Sequence, residues 1–95
     1  MGVVICSTDC THEMHMSYCS FNGIRNAIGR VSDTPFVRLF LAEEDIVGEV
    51  DYVICCEVYD VIKNISESKA DVKHWDLFKQ LLRYCVKNEQ GIHWS

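Results

Sequence analysis

The sequence contains a single proline and only five glycines, so it has too few chain-breaking residues for a long flexible linker. It also lacks an apolar run long enough to cross a membrane as a helix. Basic residues are scarce, because nine Lys and Arg stand against fourteen Asp and Glu and the formal net charge is -5. Proteins that bind nucleic acid need a concentrated basic surface, so we expect neither a nucleic-acid nor a membrane partner.

The remaining composition is that of a small globular protein. Of its 95 residues, 48% are hydrophobic and 24% are charged, which is enough apolar material for one core. We therefore predict a single domain spanning residues 1–95. Residues 1–7 show neither the basic start nor the cleavage site of a signal peptide, so we expect a cytoplasmic protein whose six cysteines are reduced.

The N-terminal half predicts one strand and two helices. Residues 2–7 are apolar and β-branched, as in a short strand, and residues 8–16 are predicted to form a polar loop. A helix capped by Ser17 or Ser20 should then run to Val31, with an apolar stripe of Phe21, Ile24, Ile28 and Val31. Thr34 and Pro35 form a helix-start signal, so residues 36–41 are predicted to be a short buried helix. A strand is the alternative for that run.

The C-terminal half predicts two longer helices and a final strand. Residues 49–66 place Val50, Ile54, Val58, Val61, Ile62 and Ile65 on one helical face, which favours a helix over a strand. Residues 70–89 form an amphipathic helix whose core side is Trp75, Phe78, Leu82 and Cys85, with Gly91 as its terminator. Residues 92–95 alternate like a strand and should pair with residues 2–7. The predicted fold is α+β, with three to four helices packed on a two- or three-stranded sheet that joins both chain ends.

An aromatic ridge on the 49–66 helix is a candidate protein interface. Tyr52, Cys56, Tyr59 and Lys63 recur at spacings of four, three and four, so they share one side of that helix. An exposed ridge of this kind is typical of a contact surface. The alternative is that another element of the fold covers it.

Soft side chains crowd the segment from Cys6 to Ser20 and suggest a metal site. Cys10, His12, His15 and Cys19 are the four ligand types that zinc prefers, although their spacing matches no recurrent zinc motif. Methionines at 14 and 16 would favour Cu(I) instead. The alternative is a surface loop in which only the cysteines at 6 and 19 are packed.

A thiol enzyme is a further hypothesis. Cys19 lies at a predicted helix N-terminus, which lowers a thiol pKa, and the histidines at 12, 15, 74 and 93 are candidate bases. No known nucleophile motif surrounds it. The acidic run from Glu43 to Asp51 lacks the spacing of a calcium loop, so a solvated turn leading into a helix is the simpler interpretation.

Residues 16–25, Met-Ser-Tyr-Cys-Ser-Phe-Asn-Gly-Ile-Arg, resemble a loosely defined family of small bacterial and phage proteins. That family opens a helix with Ser-Tyr-x-x-Phe-x-x-x-Arg, matched here by Ser17, Tyr18, Phe21 and Arg25, and continues with Asp-x-Pro, matched at 33–35. Its His-Ser-Asp-Cys-Asp turn is replaced here by residues 43–47. The resemblance implies this helix order and a bacterial or phage origin, and it implies no activity.

Tyr18 and Arg25 are also candidate ligand-binding residues in their own right. Arg25 lies about two helical turns after Tyr18, and its guanidinium suits a carboxylate or a phosphate. An ion pair between Arg25 and the acidic stretch 43–51 is the alternative.

These observations favour a non-enzymatic binding protein that acts through a protein interface. Its partner would be another copy or a larger protein, and the resemblance suggests a phage or mobile-element inhibitor of a host protein. A nucleotide-type ligand bound by a sequestering oligomer is the first alternative, and a metal-binding protein is the second. No cofactor is expected unless the cluster at 6–19 binds zinc or copper.

Overall fold

The computed structural model describes residues 2–42 and 48–95 and shows an α+β fold, as predicted. The turn predicted at 43–47 lies outside the described residues. In chain order the elements are β1 (Gly2–Ser7), β2 (Glu13–Ser17), α1 (Tyr18–Val31), α2 (Pro35–Ala42), β3 (Gly48–Val50), α3 (Tyr52–Ile62), α4 (Glu67–Ala70), α5 (Trp75–Lys87) and β4 (Ile92–Trp94).

The sheet joins the two chain ends, which confirms the predicted pairing of residues 2–7 with residues 92–95. The strands lie in the order β2-β1-β4-β3, and every neighbouring pair is antiparallel. Ile5 lies opposite Trp94 and Cys6 lies opposite His93. Val4 and Ser95 exchange two backbone hydrogen bonds of 2.9 and 3.0 Å, so the pairing continues beyond β4.

Two strands were missing from the sequence prediction. Residues 13–17 form β2 rather than part of a polar loop. Met14 and Met16 are buried, whereas Glu13, His15 and Ser17, which alternate with them, face solvent. Gly48–Val50 forms β3, which the prediction had merged into the following helix. The described residues therefore form four strands, not two or three, and five helices, not three to four.

The first two helices begin and end close to their predicted positions. Ser17 caps α1, because its side chain accepts a hydrogen bond from the Ser20 amide. Thr34 Oγ1 accepts one from the Val37 amide at 3.2 Å, so α2 begins at Pro35, and the predicted helix is correct rather than the strand alternative. This helix is only partly buried, because Phe36 and Leu39 are exposed. Val31, predicted to face the core, is exposed at the last residue of α1.

The last two predicted helices are shorter in the structure. Asp51 accepts a hydrogen bond from the Ile54 amide at 3.0 Å and so fixes the start of α3 three residues later than predicted. The α5 helix begins only at Trp75, because His74 before it adopts a left-handed backbone with φ 65°. It ends at Lys87, two residues before the predicted end at residue 89.

Gly91 has a different role from the predicted helix terminator. A Cβ atom built on it would lie 2.3 Å from the carbonyl oxygen of Val50, so only glycine allows β4 to approach β3 this closely. The left-handed turn after α5 is instead made by Glu89, with φ 54°.

The core lies between the helices and one face of the sheet. Its largest fully buried side chains are Trp75, Trp94, Phe21, Phe40 and Phe78. The predicted core side of α5, which is Trp75, Phe78, Leu82 and Cys85, is buried as expected. Strand residues that alternate with the buried ones, such as Glu13, His15 and Glu49, are exposed on the opposite face. None of the described helices is both long and apolar enough to cross a membrane.

Candidate functional site

A cleft of about 480 Å³ opens beside helix α1 and the end of helix α2. Its described lining consists of Tyr18, Asn22, Arg25, Asn26, Gly29 and Leu41. The five α1 residues are spaced by four, three, one and three positions, so they lie along one side of the helix. Leu41 closes the cleft from α2, and its Cδ1 atom lies 3.0 Å from the position of a Cβ on Gly29. A larger residue at 29 would therefore narrow the cleft.

Arg25 is the charged residue among the described residues of the lining, and it is only 5% exposed. Its Nη2 atom donates to the carbonyl oxygens of Leu41 at 2.8 Å and Phe40 at 3.3 Å. Both carbonyls belong to the last turn of α2, where no intrahelical donor remains for them. The guanidinium thus caps α2 from the side and fixes its end against α1.

Three aromatic rings surround the guanidinium of Arg25. Its Cζ atom lies 5.5 Å from the ring centre of Phe21, and 5.8 Å from those of Phe40 and Trp94. A cation held this way in a desolvated place gains about 2 kcal/mol from the rings. These contacts hold the guanidinium in one orientation within the cleft lining.

The structure brings together the two residues predicted to bind a ligand, since Tyr18 and Arg25 line the same cleft. The asparagines at 22 and 26 were missed, although their helical spacing from Tyr18 and Arg25 places them on the same face. Leu41 gave no sequence signal, because its position depends on how α2 packs. Of the acids proposed to pair with Arg25, Asp51 caps α3 and Glu49 is exposed on β3, whereas residues 43–47 lie outside the described residues.

The four predicted metal ligands occupy separate places. Cys10 and His12 lie in the turn between β1 and β2, His15 is on β2, and Cys19 is on α1. The His12 ring packs on Tyr84 with 4.2 Å between ring centres, and His15 Nε2 lies 3.3 Å from Glu13. Within residues 2–42 and 48–95, no three His, Cys, Asp or Glu side chains lie together as a metal site. The alternative was a surface loop in which only Cys6 and Cys19 are packed. Cys6 is buried, as that alternative expects, but Cys19 is exposed.

Cys6, which is not one of the four predicted metal ligands, lies beside His93, and this pair was not predicted. Cys6 Sγ lies 3.4 Å from His93 Nε2, because β1 and β4 place these residues directly opposite each other. Burial raises the pKa of the Cys6 thiol, and nearby Cys10 and Glu13 raise it further. The thiol is therefore held neutral, which is unlike the low-pKa thiol that a nucleophile requires. The predicted pairing of the chain ends, with its register, would have revealed this contact.

The predicted interface ridge is partly covered. Tyr52, Cys56 and Tyr59 are half-buried, and Lys63 is exposed just after the end of α3. A hydrogen bond with Cys56 raises the pKa of Tyr52, so these first two residues of the ridge are bonded to each other within α3. Tyr59 and Lys63 line a groove of about 300 Å³ together with Asp76, Lys79, Gln80 and Arg83 of α5.

Comparisons with models of protein families, with curated proteins and with solved structures gave no match. The family resemblance carried by residues 16–25 and 33–35 therefore stays a prediction.

Proposed function

We propose that this protein is a non-enzymatic binding protein that holds an anionic small ligand in the cleft beside Arg25. The observation that carries the proposal is the buried guanidinium in the lining of that cleft. Its direction is fixed by two carbonyls and three rings before any ligand arrives. Such preorganisation lowers the entropy cost of binding.

The other described lining residues suit a ligand that carries a carboxylate or a phosphate. Asn22 and Asn26 present amide groups that donate to oxygen atoms, and Tyr18 contributes its aromatic ring to the lining. The planar guanidinium of arginine can bind two oxygen atoms of a carboxylate or a phosphate with two parallel hydrogen bonds. A nucleotide-type ligand would combine a phosphate for these donors with a base for the Tyr18 ring.

The chemistry of the described lining favours binding over catalysis. The described lining residues provide hydrogen-bond donors and apolar surface, and they include no histidine, cysteine or carboxylic acid: Tyr18, Asn22, Arg25, Asn26, Gly29 and Leu41. General acid-base catalysis works best with a group whose pKa lies near the working pH. We therefore assign the cleft to recognition.

The substitution that tests this proposal is Asn26→Asp. Asn26 is exposed, so the change adds a negative charge to the cleft without disturbing the core. Asn64→Asp, at another exposed position outside the cleft lining, is the matched control. The measurement is the melting temperature with inorganic phosphate, a dicarboxylate, AMP or uncharged adenosine, because a ligand that binds only the folded state raises it.

We expect at least one anionic probe to raise the melting temperature of the original protein and of Asn64→Asp, with a much smaller rise for Asn26→Asp. Comparison of AMP with phosphate and with the dicarboxylate separates nucleotide recognition from simple anion binding. If no anion shifts the melting temperature, or if both variants respond as the original protein does, the proposal is wrong.

The groove between α3 and α5 supports a second candidate, which is binding to an acidic segment of another protein. Two predicted interface residues, Tyr59 and Lys63, line this groove beside Lys79 and Arg83. Lys63 pairs with Asp60 at 2.8 Å and Lys79 donates to the Ile65 carbonyl at 2.8 Å. Arg83, exposed on the same groove, supplies a further cation for an acidic partner.

A further inference from the structure

Strand β2 lies at one edge of the sheet, and its outward backbone groups can be assigned. The Ser7 amide donates to the His12 carbonyl at 2.9 Å, so these two residues form a hydrogen-bonded pair. Hydrogen-bonded and non-hydrogen-bonded pairs alternate along an antiparallel ladder. The backbone groups of Met14 and Met16 therefore bond to β1, whereas the amides and carbonyls of Glu13 and His15 point away from the sheet.

This edge lacks most of the devices that keep edge strands from pairing. Natural edges are usually protected by prolines, lysines, bulges or very short strands. The β2 strand runs for five residues without Pro or Lys, and its register from Gly2–Ser17 to Cys6–Glu13 is continuous. The opposite edge strand, β3, has only three residues. Among residues 2–42 and 48–95, β1 is the strand that pairs with β2.

We propose that the β2 edge binds a second copy of this chain, and that the two β2 strands pair antiparallel about a two-fold axis at Met14. In this register Glu13 lies opposite His15 of the partner subunit, and His15 lies opposite the partner subunit's Glu13. Each of these pairs exchanges two backbone hydrogen bonds, so four bonds join the two sheets into one. The interface is isologous, as in most homodimers.

Side-chain hydrogen bonding complements this register. Glu13 and His15 are both exposed on the outer face of the sheet, and within one chain His15 Nε2 already lies 3.3 Å from the Glu13 carboxylate. Antiparallel pairing about Met14 repeats this carboxylate–imidazole contact between subunits on both sides of the axis. A carboxylate accepts a hydrogen bond from an imidazole N–H, and complementary side chains placed directly across a ladder stabilise it.

The neighbouring register, centred on His15, is less suitable. It would pair Glu13 with Ser17 of the partner subunit and would need the backbone groups of Ser17. Ser17 is the N-cap of α1, and the carbonyl of an N-cap residue accepts the first hydrogen bond of its helix. The register centred on Met14 uses only Glu13 and His15, whose outward groups lie on regular strand.

The test is the variant His15→Pro, studied by analytical ultracentrifugation over a range of protein concentrations. Proline removes the outward amide of residue 15, which β1 does not use, and edge strands tolerate proline at such positions. His15→Ala is the matched control, because it removes the same side chain and keeps the amide. We expect the original protein to dimerise, His15→Ala to dimerise more weakly, and His15→Pro to weaken dimerisation by at least about tenfold relative to His15→Ala.

Hydrogen exchange provides a second measurement that needs no substitution. The amides of Glu13 and His15 should exchange more slowly at high protein concentration than at low concentration, whereas amides that are already bonded within the chain should not change. A monomer at all concentrations would overturn the proposal. So would a dimer in which the two amides show no concentration-dependent protection, because the contact would then lie elsewhere.

Discussion

Replacement of Arg25 by methionine tests the central structural claim about the cleft, which is that the guanidinium holds the end of α2 in place. Methionine has a similar length and keeps most of the packing against Phe21, Phe40 and Trp94. It removes the donor that bonds the Leu41 carbonyl at 2.8 Å and the Phe40 carbonyl at 3.3 Å. Two carbonyls at a helix end thereby lose a partner in a buried place.

Two effects of this change oppose each other. Each lost hydrogen bond from a charged donor costs about 1.5–3 kcal/mol, and the lost attraction to the rings adds about 2 kcal/mol. Removing a buried charge, however, also removes its desolvation penalty, which can amount to several kcal/mol. Because the bond to Phe40 is buried and the bond to Leu41 is partly buried, we expect the loss of the donor to dominate and to lower the free energy of unfolding by about 3 kcal/mol.

Urea denaturation monitored by circular dichroism would measure this loss. With a slope of about 1–3 kcal/mol per molar urea, the midpoint should fall by about 1–3 M. Arg30→Met is the matched control on the same helix, because Arg30 is exposed and its replacement should cost about 0.5 kcal/mol. Arg25→Lys should lie between the two, since lysine keeps the charge and loses the planar donor. A loss for Arg25→Met no larger than for Arg30→Met would refute the reasoning.

Two further predictions concern other parts of the molecule. The hydroxyls of Ser7 and Tyr84 donate to Asp9 and lower its pKa to about 2, below its ordinary value of 3.8, so this carboxylate stabilises the fold above pH 3.8 and that contribution is lost as the pH falls towards 2. Asp9→Asn should therefore flatten the dependence of melting temperature on pH between 2 and 4, and an unchanged slope would contradict this account. For the groove between α3 and α5, Arg83→Glu should weaken binding of a synthetic glutamate-rich peptide in fluorescence anisotropy, whereas Lys87→Glu, on the same helix outside the groove lining, should not. Equal effects of the two substitutions would mean that net charge alone governs binding.

The parts of the fold that the sequence predicted are those with strong local signals. The caps at Ser17 and Thr34 and the apolar stripe of α5 depend on spacing within one helix, so they can be derived without tertiary information. The pairing of the chain ends followed from two short apolar strands that each needed a partner. Two helices were predicted to start too early, because the N-cap residue Asp51 and the left-handed residue His74 fix the true starts of α3 and α5.

The β2 strand was not predicted, although its sequence carries the signal of a strand. Its residues, Glu-Met-His-Met-Ser, alternate with a period of two, which is the signal of a strand with one buried face. Residues 8–16 were predicted to form a polar loop, and the same histidine and methionines were interpreted separately as candidate metal ligands. Methionine and histidine have weak strand preferences, so only the alternation carried the information. The burial of Met14 and Met16 is explained by packing beneath β2, and it requires no metal.

Only part of the cleft could be predicted from the sequence. The alignment of residues along α1 is a local property, whereas the contacts of Arg25 with α2 depend on tertiary structure. Tyr18 and Arg25 lie seven residues apart, which is close to two helical turns, so α1 alone aligns them. The same periodicity places Asn22 and Asn26 beside them, and a search along that helical face would have found both. Arg25 would still have been interpreted as a surface group. Its burial depends on the end of α2, where the carbonyl oxygens of Phe40 and Leu41 accept hydrogen bonds from its guanidinium. A helix pattern gives the face on which a side chain lies, and only the tertiary structure gives the neighbour that determines its role.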